Sequence, residues 1–134
     1  MSRANVRFIR PAGLATASGY TPVIEVMGGW TVYVSGQVAL DAEGQVVGVG
    51  DFEAQARQVF MNIGVALAAA DMTIRHVVRL GLCVTDMAHL AILCRVRDEV
   101  VETDRPPAST LVQVAGLIHP DLLFEADVVA VATR

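Results

Sequence analysis

The segment "LLFEADVVAVAT", residues 122–133, carries two carboxylates in an otherwise apolar run. In an extended strand alternate side chains share a face, so Glu125 and Asp127 stand side by side with Leu123, Val129 and Val131. A charge is costly to bury unless it is paired. One chemistry that fits is general acid/base work by Glu125, its pKa raised by burial and by the neighbouring carboxylate. The other is an ion pair with an arginine at a subunit contact. The two residues alone leave both open.

A second candidate stretch is "PPASTLVQV", residues 106–114, where Ser109 and Thr110 open a strand. Neither Ser35 nor Ser109 lies in a GxSxG elbow, so a serine nucleophile has no support. His76, His89 and His119 fall at a helix–strand junction, on a helix and in a loop. None has an HxxxH or HExxH spacing, and Cys83 and Cys94 form no CxxC, so no metal site is expected. Gly28-Gly29 and "GQVVGVG" lack the glycine and lysine pattern of phosphate loops. The ten basic residues are all arginine. Without lysine there is no Schiff-base chemistry from that side chain. Arg95 and Arg97 are assigned to a solvated helix face, and Trp30 to packing.

These residues need a scaffold. "NVRFIRP" reads as a first strand stopped by Pro11, and "VIEVMGGWTVYVSGQV" as two strands in a tight hairpin around Gly28-Gly29, where glycine tolerates positive φ. In the second strand Val32, Val34 and Val38 share one face, and Thr31, Tyr33, Ser35 and Gln37 the other. Residues 51–72 form the clearest helix. Asp51 caps it, and Phe52, Ala56, Val59, Phe60, Ile63, Ala66 and Leu67 make one apolar face. "HVVRLGLCVTD" is a central strand, residues 87–104 a second helix, and "STLVQVAGL" and "LLFEADVVAVAT" two closing strands. The order predicts one α+β domain over residues 1–134, with two helices on one face of the sheet.

The chain is 54% hydrophobic and only 18% charged. That is apolar for a soluble domain, yet no window approaches the roughly 18 apolar residues of a membrane helix. The excess points to an oligomer interface, on the sheet face the helices leave bare. A net charge of −4 with no basic run argues against nucleic acid. Unpatterned cysteines and a start without an apolar signal core give a cytoplasmic protein with reduced thiols as the expectation, with no membrane partner.

Along nearly its whole length the chain resembles the RidA/YjgF family of reactive-intermediate deaminases. The resemblance is carried by "GY" at 19–20, "VSGQV" at 34–38, "QARQVFMNI" at 55–63, "PAST" at 107–110 and the closing "FEADVVAVA". It implies a chorismate-mutase-like fold and a homotrimer with small-molecule clefts between subunits. It also implies hydrolysis of small enamines or imines without a cofactor. By the resemblance, Glu125 matches the glutamate that handles the attacking water, and Tyr20 the loop tyrosine that positions the ligand. Ser35 and Gly36 match the pair lining the cleft, with backbone amides there stabilising developing charge. Asp127 matches a second carboxylate of structural role.

One element departs. The family reads Pro-Ala-Arg, with the arginine clamping the substrate carboxylate; this chain reads Pro107-Ala108-Ser109. Thr110 follows where Ser or Thr is common, and Leu111 where cysteine is frequent. Arg105 lies four residues before Ser109 and reaches the cleft only if its loop folds back. Cys94 takes a usual asparagine position, and Arg97, Val100 and Val101 stand where aromatics are frequent. A serine offers one neutral hydroxyl in place of a bidentate, charge-assisted contact. The alternative function is therefore a non-catalytic metabolite-binding or regulatory module of the same fold. A ribonuclease reading, sometimes attached to the family, is disfavoured by the acidic balance.

Overall fold

The computed structural model describes residues 2, 3 and 5–133. The strands are β1 (Ser2–Arg3), β2 (Asn5–Ile9), β3 (Val23–Met27), β4 (Trp30–Val38), β5 (Val77–Val84), β6 (Ala108–Gln113) and β7 (Phe124–Thr133). The α-helices are α1 (Phe52–Ala68) and α2 (Leu90–Val100), with short 3-10 turns at Ile74–His76 and Met87–His89. Both helices are shorter than expected. α1 ends at Ala68 and the chain turns through Asp71, which has positive φ. α2 proper starts after a 3-10 turn capped by Asp86 and stops at Val100.

β7 is the spine of the main sheet. It pairs antiparallel with β4 on one side and with β5 on the other, β1 joining at its end, while β6 lies parallel to β5 at an edge. β2 and β3 pair only with each other, as a separate two-stranded sheet. This corrects the hairpin expected at Gly28-Gly29. Both glycines do have positive φ, but they hand the chain from the small sheet to the large one, and β4 pairs with β7 instead of β3. Local turn chemistry is the same in both cases; the long central strand offers β4 the larger apolar partner.

α1 packs on β4, β7 and α2. On β7, Phe124, Ala126, Val128, Ala130 and Ala132 are all buried on the helix side. Phe124 lies between Phe52 and Phe60, each 5.9 Å away centroid to centroid. The α1 face read from spacing is the buried one, with one addition. Gln55 is fully buried, donates to the Gly48 and Asp121 carbonyls and accepts from Leu123 N–H. It satisfies three backbone groups and fixes where β7 begins. Trp30, assigned to packing, is half exposed at the start of β4.

The opposite face of the sheet has no helix on it. Tyr33 there is 79% exposed, and Val112 is also open. Arg79, Cys83, Thr110, Asp127 and Val129 line a depression of about 400 Å³ on this face.

Candidate functional site

The β4–β7 pairing contains an irregularity where the candidate residues sit. Val34 pairs with Val128, but Gln37 pairs with Ala126, so Ser35 and Gly36 together oppose Asp127 alone. This is a β-bulge, and it shifts the alternation by one. Gln37 therefore faces with core-side Ala126, and Val38 pairs with Glu125. The pairing expected for Gln37 from simple alternation is shifted, while Val38 still packs against the core with Val32 as its alternation predicts. The bulge has a chemical consequence. A Cβ on Gly36 would lie 2.7 Å from Glu125 Cδ and 3.0 Å from both of its oxygens. Only glycine lets the carboxylate rest on the β4 backbone.

Glu125 is half-buried, and among the described residues no side chain pairs with it. Asp127 behaves differently: Arg79 approaches it at 3.9 Å, both side chains being about half exposed. Cys83 pairs in register with Glu125. Burial pushes its thiol above the ordinary range, and the charges of Glu125 and Asp127 push it further. It is thus a neutral thiol beside two carboxylates, not a nucleophile.

From Gly36 a groove of about 630 Å³ runs along the end of β4 against α1, lined by Gln58, Met61, Asn62 and Val65 among others. Asn62 donates to the Val38 and Leu40 carbonyls and accepts from Gln58, holding the wall in place. Met61 and Val65 are exposed, which gives the groove an apolar rim.

The "PAST" segment splits between the two faces. Thr110 pairs with Gly81 and opens onto the bare face with Asp127. Ser109 and Leu111 pair with the buried Leu80 and Leu82 and so point to the helix side, where Leu111 packs against the core. Tyr20 is partly exposed in the loop before β3. That loop is tied to the start of β6: Thr21 N–H donates to the Pro107 carbonyl at 3.1 Å, and buried Thr21 Oγ1 to the Pro106 carbonyl at 2.5 Å. One chain therefore brings Glu125, Ser35 and Gly36 together, with Thr110 on the same face. It sets Tyr20 beside the β6 entry, two residues before Ser109.

The arginines fall differently from their sequence assignments. Arg105 stacks over the Phe8 ring at 4.5 Å, which binds its loop to β2 and not to the groove. Arg95 is solvated and bridges to Glu53 at 2.5 Å. Arg97 is not solvated. Its side chain is 12% exposed, and its guanidinium lies against Gly19. No periodic pattern marks this residue; its burial comes from the 10–22 loop crossing over α2.

The histidines serve local structure. His76 Nδ1 accepts from Thr73 N–H, His89 stacks on Phe52 at 4.4 Å, and His119 Nδ1 accepts from Asp121 N–H. Among the described residues no group of three His, Cys, Asp or Glu side chains converges on a metal position, and no helix is long and apolar enough to cross a membrane.

The family model described as Endoribonuclease L-PSP matches residues 11–132. A RutC family protein of Synechocystis is 34% identical over 75% of this chain and 77% of its own. A Yersinia pestis structure, titled as a protein of unknown function of the conserved Rid family, superposes with a TM-score of 0.84. It is 33% identical and covers 95% of this chain and 98% of that one.

The chain belongs to the RidA/YjgF family.

Protein DfrA of Myxococcus xanthus, 34% identical over 84% of this chain and 85% of its own, is a further relative. The α+β architecture expected from the sequence is the Rid fold, with two helices on one side of a mixed sheet. Within that fold this Rid chain sets a carboxylate, unpaired among the described residues, on a bulged Ser-Gly pair and has serine at position 109.

Proposed function

We propose that this Rid protein hydrolyses small enamines or imines, in clefts completed between the subunits of a homotrimer. The observation that carries the reading is the Glu125 carboxylate, which no side chain among the described residues pairs with, resting against Gly36, itself a residue of the groove wall. A carboxylate so held can take a proton from water as the water adds to a C=N carbon and pass it to nitrogen, giving the carbinolamine; it can then carry the hydroxyl proton to the same nitrogen as the C–N bond breaks, the carbonyl forms and ammonia departs. The Ser35-Gly36 backbone is available to hydrogen-bond the developing charge. No cofactor is required by this sequence of steps.

Assembly is supported by the split of the site. Ser109 points to the side of the sheet opposite Glu125, and layers stack about 10 Å apart. A small ligand does not touch both in one copy. A second copy bringing its β6 edge to the groove of the first joins the two halves and covers the apolar bare face. Sedimentation equilibrium is expected to give three times the chain mass of 14.2 kDa.

The chemical test is ammonia release from freshly generated 2-iminopropanoate. The wild type is expected to be active and Glu125→Gln at least ~100-fold slower. Equal rates remove Glu125 from the mechanism.

Ser109 in place of arginine favours a second reading, a metabolite-binding module without turnover. A ligand that raises the melting temperature and is recovered unchanged supports it. Gain of ammonia release in Ser109→Arg, from an inactive wild type, identifies the missing clamp as the sole defect. Nucleic acid is not the expected substrate: Arg7, Arg57, Arg75, Arg79, Arg95 and Arg97 all face carboxylates of their own chain. Intact RNA after incubation with nuclease-free protein is the expected result.

A further inference from the structure

The row of the sheet that holds Asp127 has a glycine on each side. On β5, Gly81 pairs directly with Asp127. On β4, the bulged Ser35-Gly36 pair opposes it. Each of these glycines has a carboxylate lying against it. A Cβ at Gly81 would lie 2.6 and 2.8 Å from the two Asp127 oxygens, and a Cβ at Gly36 would lie 2.7 Å from Glu125 Cδ. Asp127 therefore leans toward β5 and Glu125 toward β4. Neighbouring strands are about 4.8 Å apart, so β7 itself stands between the two charges. A side chain at either glycine would push its carboxylate back toward the other.

With a glycine on both sides, shape alone does not choose a direction for Asp127. Charge does. The titratable or charged side chains that β4, β5, β6 and β7 turn to this face are Tyr33, Arg79, Cys83, Glu125 and Asp127. Arg79, on β5, is the one cation among them, and β4 carries no charged residue. Arg79 Nη1 would lie 3.0 Å from a Cβ at Gly81 and stands 3.9 Å from Asp127 Oδ1. The two side chains are 47% and 49% exposed, so the pair adds little to stability. It still selects between two positions of one side chain, because the selection needs only a difference between them. Cys83, in register with Glu125, is held neutral and brings no further charge.

We infer that Arg79 is a positioning residue for the hydrolysis: it holds Asp127 over Gly81 and so keeps a second negative charge away from Glu125. This rests on the reading of Glu125 as the carboxylate that takes a proton from water. That role needs the ionised form, and a like charge brought close favours the protonated one. Without Arg79, Asp127 turns to the β4 side as readily as to the β5 side. There it crowds Glu125, and the two acids titrate as a coupled pair. Proton abstraction by Glu125 is then lost at a higher pH as the solution is acidified.

The test follows the side-chain carboxyl carbons of the assembled protein, labelled on Asp and Glu, by NMR as the pH is lowered. Arg79→Gln is expected to raise the midpoint of Glu125 by ~0.5–1 pH unit. In an Asp127→Asn background the same substitution should leave Glu125 unmoved. Arg79→Lys should keep most of the wild-type curve. Gly81→Ala, which displaces Asp127 with the cation still present, should raise the midpoint as Arg79→Gln does. No rise in Arg79→Gln overturns the inference. An equal rise in the Asp127→Asn background also overturns it, because Arg79 would then act on Glu125 by its own charge. If Gly81→Ala fails to fold, the pair of Arg79→Gln curves decides, both positions being half exposed. The titration needs no turnover. With 2-iminopropanoate as substrate, the acid limb of kcat/KM should rise in Arg79→Gln with the Glu125 midpoint. A risen midpoint without hydrolysis of any imine sinks the hydrolase reading alone; hydrolysis with midpoint and acid limb both unmoved in Arg79→Gln sinks the positioning role alone.

Discussion

The two faces of the central strand obey different rules. On the helix side, β7 presents Phe124, Ala126, Val128, Ala130 and Ala132, all buried within one chain. On the other side Glu125, Asp127 and Val129 are half-buried with no helix above them, and only Val131 near the strand's end is buried. The same ten residues thus build a finished core and an unfinished surface. A finished face tolerates no charge, because nothing remains to solvate it. An unfinished face can hold a carboxylate at intermediate exposure, where it stays reactive and awaits a partner.

Substitutions on the two faces should separate along this line. The largest effect is expected on the finished side: Phe124→Ala empties the contact between Phe52 and Phe60 and should cost about 3–5 kcal/mol of stability, read by chemical denaturation. Glu125→Gln, one residue along but on the other face, should leave the denaturation midpoint nearly unchanged while cutting ammonia release ~100-fold, about 2.7 kcal/mol in barrier. A large stability loss in that variant breaks the comparison, since Glu125 would then belong to the folding core. Gln55→Leu is intermediate. It strands the Leu123 N–H and two carbonyls and should cost about 2–3 kcal/mol in the same denaturation series, although it removes no apolar contact.

Smaller effects sharpen the picture. Asp127→Asn loses an exposed 3.9 Å pair with Arg79 and should change stability by less than about 1 kcal/mol. Smallest is a shift in thiol titration. Cys83 is held protonated by burial and then by Glu125 and Asp127, so its alkylation by iodoacetamide should become fast only at a pH above that of an ordinary thiol. Because its folded pKa is raised, its small contribution to stability is present at neutral pH and is lost as pH rises through the folded value. Glu125→Gln removes one of the two charges and should move the alkylation midpoint downward. An unmoved midpoint would show that the carboxylate does not lie where the register puts it.

Periodicity exposed the face of α1 because Phe52, Ala56, Val59, Phe60, Ile63 and Leu67 repeat at helical spacing, and burial of such a face is nearly independent of what it packs on. It exposed the shared side of Glu125 and Asp127 because β7 runs without a bulge through them. The same method failed at β4. One extra residue, Ser35 or Gly36, shifts the register so that Gln37 meets core-side Ala126, and nothing in the alternation of "TVYVSGQV" announces it. It failed again at Arg97, whose helix position suggested solvent; a loop from 70 and more residues earlier covers it.

The sequence by itself determined the order of the long elements, the core side of α1 and β7, the family, and the absence of arginine at position 109. These follow from local spacing and composition, which act within a few residues. Only the tertiary structure decided that β4 leaves β3 for β7, that Ser109 and Thr110 face opposite ways, that Gly36 lies under Glu125, and that Arg97 lies over Gly19. Each of those depends on which distant strand or loop wins a partner. That choice is made by the free energy of the whole packed chain, and no window of neighbouring residues contains it.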